Sequence, residues 1–319
     1  MKNIIAPISA TLIKEELTIE RLLRKTNKAN NEIYVVNAHN APNTMLEIGR
    51  LRELSFRTAG GGSGKEIDTD EFDYLDIPYE QLIVWNPEAD EIIGGYRFFQ
   101  GKNAVIKPNG QPQMAIEHLF DFSPEFIDNY LPFTMEMARA FVQPKYQSSQ
   151  MGVKSLFALD NLWDGIGALI ALIDDVKYLL GKVTIYPQMK EEARYAIIYF
   201  MSKFFGNESN MIVPKTPLFV PEKLQKKFDD YFTEVDPKDN FRLLNNYVKE
   251  QKEAIPPLIH AYIKLSSSMQ TYGTAQDADF ANIYDTGMII TIDDIYDAKR
   301  DRYVETFIQS RLEENTKLF

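Results

Sequence analysis

The order of patterned segments predicts an α/β or α+β sandwich, an arrangement of strands and helices around one sheet. Three observations carry that expectation. Gln81–Trp85 and Glu91–Phe99 are two β-rich runs joined by a turn around Asn86-Pro87 and Asp90. Phe133–Val142 reads as a strand that runs into a polar turn and then into a helix over about 149–173 that is apolar almost all round, which implies deep burial. A further strand, Val176–Ile185, is followed by a helical pattern over Glu191–Phe205.

The remaining elements fit between these. Residues 1–30 are polar with weak helical signals and read as an N-terminal arm. Glu32–Asn37 is β-rich, and Pro42 opens a helix running to about Ala59. The run Ala59-Gly-Gly-Gly-Ser-Gly-Lys65 reads as a flexible lid or linker. It fails as a phosphate loop because it follows a helix, Ala59 replaces the first glycine, and Glu66 stands where Ser or Thr should follow the lysine. A short helix is expected near Glu125–Leu131, a helix after Pro256, and a last strand at Gly287–Ile292. Gly181 inside its strand suggests a bulge or a close backbone approach. The expected division is an arm over 1–30, a core over 31–206, a proline-punctuated insertion or subdomain over 207–255, and a completion with a charged tail helix over 256–319.

Composition narrows the chemistry. The 319 residues include no cysteine, so disulfides, thiolate metal sites and thiol nucleophiles are excluded. A formal net charge of −11 opposes nucleic acid and anionic surfaces, and no basic patch with interleaved aromatics offsets it. The start of the chain does not read as a signal peptide, and the longest apolar tract, Ile166–Ile173, is far short of a membrane span. The lack of cysteine fits a reducing compartment, and a cytoplasmic location with no metal site is expected. None of the three histidines has a carboxylate at zinc-motif spacing. None is followed five positions on by Asp, as histidine–aspartate phospholipid acyltransferases require; Thr44, Ser123 and Leu265 stand there.

Several charged residues occupy positions that a bare core would not give them. On the helix from Pro42, Arg52 shares an apolar stripe with Met45, Ile48 and Phe56. A buried arginine must be paired, either as a structural ion pair or as a site residue facing the acidic run that holds Asp70 and Asp73. In the 133–142 strand, strict alternation puts Glu136 and Arg139 on opposite faces. They sit either at the exposed end of a regular strand or together beside a bulge that frees amides for an oxyanion. The turn after this strand leads to a helix N-terminus over 147–154, where unpaired N–H groups and Lys154 can hold an anion.

The ordered set Arg52-x3-Phe56, Asp70-x2-Asp73, Arg97 after a strand, and Glu136-x2-Arg139 resembles the acyl-homoserine-lactone synthases. It resembles more closely the ornithine-lipid and glycine-lipid type N-acyltransferases, also called hemolysin-like; both families have the GNAT superfold. The second resemblance covers about 45–295. It includes Val142-x-Pro144-x2-Gln147, Leu162-Trp163, Leu180-Gly-Lys-Val-Thr184 and Pro256-Pro-Leu-Ile-x2-Tyr262. The general donor loop of the superfold has a glycine where Gln150 stands, while Gln147 and Gly152 match.

The resemblance implies a GNAT-like mixed central sheet with helices on both faces, plus an insertion and a C-terminal helix. It implies N-acyl transfer of a long-chain, 3-hydroxylated acyl group to the amine of ornithine or glycine, giving a lyso-aminolipid. The donor would be acyl carrier protein rather than coenzyme A, with its phosphopantetheine arm as the carrier and no permanently bound cofactor. In this reading Glu136 is the base, with Arg97 and Arg139 beside it. Arg52, Phe56, Asp70 and Asp73 shape the acceptor site, and Val142, Gln147, Gly152 and Lys154 hold the donor. Arg139, Lys145, Lys154 and Lys182 form the expected docking patch for the carrier protein. A lipid product implies peripheral membrane contact, for which Leu218–Val220 and Phe228–Phe232 are the candidates, with ordinary packing in the fold as the favoured reading of those residues. Two alternatives remain: a signal synthase, from which the extra 207–255 segment and the tail helix depart, and a non-catalytic acyl-binding module of the same fold.

Overall fold

The computed structural model describes the backbone of residues 1–147 and 153–316, with side chains over 1–147 and 157–313. The chain forms two compact units, each assembled from separated segments. The first comprises Met1–Asn103, Met135–Val176 and the chain from Tyr296 onward. The second comprises Ala104–Thr134 and Lys177–Ile295.

Five antiparallel strands build the first unit: β1 (Leu22–Lys25), β2 (Glu32–Val36), β3 (Glu80–Asn86), β4 (Glu91–Gln100) and β5 (Thr134–Val142). They lie side by side in chain order. Helix α1 (Pro42–Ala59) covers one face, where Met45, Ile48 and Leu51 pack with Ile83, Trp85 and Phe141. Helix α2 (Val153–Leu172) covers the other; Gly165 sits against Leu82, whose side chain points away from Ile83. The predicted boundaries of α1, the β3–β4 hairpin and β5 hold to within a residue or two. The 1–30 arm is more than an arm. It contributes the short helix Ala10–Glu16 and the strand β1, whose few residues escape periodicity. Helix α1 has no side-chain cap of its own. Glu16 supplies one, accepting from Asn43 N at 2.9 Å and Thr44 N at 2.7 Å, so an anion sits at the positive end of the helix. The tail returns to this unit. Tyr303 and Phe307 are buried, and a Cβ at Gly167 would lie 2.3 Å from the Tyr303 carbonyl oxygen, so only glycine lets the tail approach α2 this closely.

The second unit centres on β6 (Tyr178–Ile185), β7 (Gln270–Asp277) and β8 (Ile283–Thr291), with β8 in the middle and all pairings antiparallel. The pattern missed β7, whose Gly273 and Thr-rich sequence lacks an apolar run. It also began the last strand late. Three helices, α3 (Glu191–Phe205), α4 (Glu222–Tyr231) and α5 (Pro237–Glu250), pack around an aromatic cluster of Tyr199, Phe200, Phe228, Phe232, Phe241 and Tyr247. The segment 207–255, expected as an insertion or subdomain, furnishes part of this unit's core. Phe228 and Phe232, candidates for a membrane surface or for ordinary packing, are buried in that cluster; Phe219 is exposed. No helix among the described residues is long and apolar enough to cross a membrane.

Candidate active site

Three strands of the first unit present one polar row beneath α1. Gln81 pairs with Arg97 across β3 and β4, and Arg97 pairs with Ala138 across β4 and β5. One step along, Phe99 pairs with Glu136. Side chains two apart share a face, so Tyr79, Gln81, Arg97, Phe99, Glu136 and Ala138 all point to the side of the sheet that carries α1.

The strand β5 is bulged. Phe99 opposes Glu136 and Arg97 opposes Ala138, but Gly95 opposes Phe141, so Arg139 and Ala140 together face Tyr96. Arg139 has φ +51°, the left-handed region that side-chain-bearing residues avoid. Next to the bulge the strands come unusually close. A Cβ at Gly94 would stand 2.4 Å from the Phe141 carbonyl oxygen.

The bulge places Arg139 in the same charged network as Arg97. Arg97 reaches Asp70 at 2.6 Å and Asp73 at 3.2 Å. Arg52 reaches Asp73 at 3.5 Å and donates to the Gln81 side-chain oxygen. Gln81 in turn donates to Asp73 at 3.0 Å. Arg139 reaches Asp68 at 3.3 Å and Asp70 at 3.5 Å. The acidic run is therefore no solvated loop. Asp70 and Asp73 form a capping box on a single turn of helix, with Asp70 N donating to Asp73 at 3.1 Å and Phe72 N to Asp70 at 3.1 Å. That turn delivers Asp68, Asp70 and Asp73 to the three arginines.

Burial and pairing determine the electrostatics. Arg52 and Arg97 are both almost fully buried, yet their proton affinities move oppositely. Burial lowers that of Arg52, and the attraction of Asp73 and Asp68, opposed by the nearby Arg97 and Arg139, does not compensate. Burial acts on Arg97 too, but two closer carboxylates, Asp73 and Asp70, outweigh it and raise the value. Asp70 is pushed up by burial and down more strongly by Arg97, Arg139 and Arg52, ending at about 2. Three guanidiniums thus meet three carboxylates, Asp68, Asp70 and Asp73, in a region largely closed to solvent. Glu136 is 2% exposed and accepts a hydrogen bond from the Tyr79 hydroxyl. Sequence reading missed Tyr79. Extending the expected 81–85 strand backward by two residues would have put it on the face of Gln81.

The other expected site residues are placed as follows. Phe56 is half-buried against the apolar cluster beneath α1. Gln147 donates from its side chain to the Val142 carbonyl, closing the turn after β5. Tyr146 anchors that turn by donating to Glu91 at 2.7 Å and accepting from Asn86 at 2.9 Å. Gly152 and the Lys154 side chain lie outside the described residues. In the expected docking patch the described cations all have carboxylate partners: Arg139 as above, Lys145 with Glu91 at 2.6 Å, and Lys182 with Asp285. The glycine run after α1, expected as a flexible lid, is tied down. The carboxylate of Glu53 accepts from Ser63 N at 2.9 Å, Ser63 Oγ at 2.8 Å and Gly64 N at 2.8 Å. Among the described residues no cluster could hold a metal ion.

The model of the acetyltransferase (GNAT) domain family matches residues 51–156, which contain this row and the turn after it. A glycine Nα-acyltransferase of Bacteroides thetaiotaomicron is 46% identical over 310 residues, covering 97% of this chain and 92% of its own. A second, from Phocaeicola vulgatus, is 45% identical over 313 residues, covering 98% and 96%. Among solved structures, BjaI, a coenzyme A-dependent acyl-homoserine lactone synthase with SAM and isopentyl-CoA, aligns over 87% of this chain and 89% of its own. It does so at 9% identity with a TM-score of 0.36, too loose a likeness to assign any residue. With 46% and 45% identity along almost the whole length, the chain belongs to the glycine Nα-acyltransferase family, carries a GNAT domain and is an N-acyltransferase.

Proposed function

We propose that this enzyme transfers a long-chain, 3-hydroxylated acyl group from acyl carrier protein to the amine of glycine, giving an N-acylated lyso-aminolipid. One observation carries the acceptor: both curated relatives, matched over at least 97% of this chain, are named for glycine. The chemistry suits the site. Glycine arrives as an ammonium and must lose a proton before its nitrogen attacks the thioester carbonyl. Glu136 is the base. The nitrogen–carbon bond forms, the carbon–sulfur bond breaks, and the thiol of the pantetheine arm departs. No covalent enzyme intermediate is needed, which agrees with a chain lacking cysteine.

The bulge gives the reading its geometry. Amides of β5 over 138–142 would face the thioester oxygen as it gains charge, and the turn from Val142 through Gln147 toward Lys154 would hold the arm. Arg52, Phe56, Arg97, Arg139, Asp70 and Asp73 would bound the acceptor. The product carries a fatty chain, so its release implies peripheral contact with a membrane. The test is direct. Purified enzyme with 3-hydroxyacyl carrier protein and glycine should release thiol and yield an N-acylglycine by mass spectrometry. Transfer to ornithine in preference to glycine would overturn the acceptor, and faster turnover with the coenzyme A thioester would overturn the donor.

A further inference from the structure

We propose that Tyr79 is a positioning residue for Glu136, fixing one carboxylate oxygen and coupling it to the charge of Arg97; the inference rests on Glu136 being the base. Tyr79 is fully buried and held at every point. Its backbone N donates to Phe72 O at 3.0 Å, and its carbonyl accepts from Gln81 at 3.2 Å. Its ring is stacked on Phe99, with centroids 4.6 Å apart and planes 13° from parallel. Phe72 meets the same ring edge-on at 5.7 Å, and the Arg97 guanidinium lies 4.9 Å from the ring centroid.

A ring clamped by two aromatics and a cation cannot swing, so the direction of its hydroxyl is set. That hydroxyl donates to Glu136, whose position on β5 is set by its pairing with Phe99, the same residue that stacks on Tyr79. The base and its donor are therefore aligned by one shared neighbour. A cation over the face of a phenol draws electron density from the ring and strengthens the O–H as a donor. Arg97 is itself locked to Asp70 and Asp73, so the network that bounds the acceptor also acts on the base through this ring. A buried base held in one rotamer by packing and a charge-assisted hydrogen bond is the arrangement that preorganised proton transfer requires.

The experiment measures thiol release with glycine and the acyl thioester; a chain without cysteine contributes no background. Tyr79→Phe keeps the ring and removes the donor. Loss of a hydrogen bond to a charged group predicts a fall in kcat of about 10- to 100-fold. KM for glycine should stay within about twofold, since the acceptor contacts are intact. The acid limb of the kcat profile should move to higher pH, because a carboxylate stripped of its donor is protonated more readily. Placed on Glu136→Gln, the same change should add almost nothing, because both act through one group. Wild-type kcat in Tyr79→Phe, or an equal loss in both backgrounds, overturns the inference. If Tyr79→Phe fails to fold, Phe99→Leu loosens the ring while keeping the hydroxyl. A fall in its kcat at constant KM supports the inference, and an unchanged kcat overturns it. Glu136→Gln with full activity would instead overturn the assignment of the base.

Discussion

Asp73→Asn is the sharpest test of the buried charge network. Asp73 is fully buried and meets Arg52 at 3.5 Å, Arg97 at 3.2 Å, the Gln81 amide at 3.0 Å and the Asp70 backbone N at 3.1 Å. Asparagine keeps the shape and removes the charge. Arg52 then loses its carboxylate partner while remaining buried, and Arg97 keeps only Asp70. Removing one side of a buried ion pair costs about 3–5 kcal/mol, because the orphaned charge stays desolvated. Unfolding entropy of about 2.1 cal/mol/K per residue gives about 0.7 kcal/mol/K for this chain, so the melting temperature should fall by about 4–8 °C. Thermal unfolding followed by circular dichroism measures this, at low salt and with added sodium chloride. The loss should persist at high salt, since buried pairs are poorly screened. Adding Arg52→Met should restore part of it, because the orphaned charge is gone. A variant that melts within about 1 °C of wild type would refute the reasoning, as would a loss that salt abolishes.

Other consequences follow from single contacts. Asp70, depressed to about 2, binds its proton less readily folded than unfolded. Its contribution of about 2 kcal/mol is complete above about pH 4 and drains as pH falls toward 2. Urea unfolding at pH 5 and pH 3 should show this slope in the wild type and a shallower one in Asp70→Asn; equal slopes would contradict it. Gly94→Ala would drive a Cβ to 2.4 Å from the Phe141 carbonyl oxygen, so β4 and β5 must part at the bulge. The expected cost is about 1–3 kcal/mol together with at least a tenfold loss of turnover, and full activity would show that the close approach is dispensable. Glu53→Ala should free the glycine run, since one carboxylate gathers Ser63 and Gly64. Subtilisin should then cut within 60–65 faster than in the wild type, and an unchanged cleavage pattern would count against that tether.

How far the sequence is legible depends on the range of the interaction that shapes each element. Helix α1 announces itself through Pro42 and an apolar stripe, both local signals, and its boundaries are read correctly. Arg52 on that stripe is legible as a buried charge needing a partner, with the acidic run of Asp70 and Asp73 as its candidate; the turn of helix that brings Asp73 to it is not, because propensity does not reveal it. The strand β1 and the strand β7 are too short or too polar to show a period, and only pairing with neighbours makes them strands. Glu136 and Arg139 are visible as charges in a strand, and their spacing shows that only a bulge could bring them together, though not that one is present. Tyr79 stayed hidden for the opposite reason, since a tyrosine at the start of a strand is unremarkable until the register of three strands places it beside Glu136.

The bulge itself carries a last argument, about why position 139 holds an arginine. At φ +51° glycine costs least, and another side chain there costs about 1 kcal/mol or more. A sequence shaped only for stability would place glycine at this point of β5. The arginine instead reaches Asp68 and Asp70 at 3.3 and 3.5 Å, long contacts that cannot by themselves repay much of the strain. The buried partners of Asp70 already include Arg97 at 2.6 Å, so Arg139 is not needed to neutralise it. Its side chain is 21% exposed, whereas those of Arg52 and Arg97 are 1% and 2% exposed. A strained residue that holds the network's most accessible guanidinium is better explained by what meets it from solvent than by what it meets in the fold. In the proposed N-acyltransferase site that visitor would be a substrate, and the strain at Arg139 would then serve the reaction rather than the sheet.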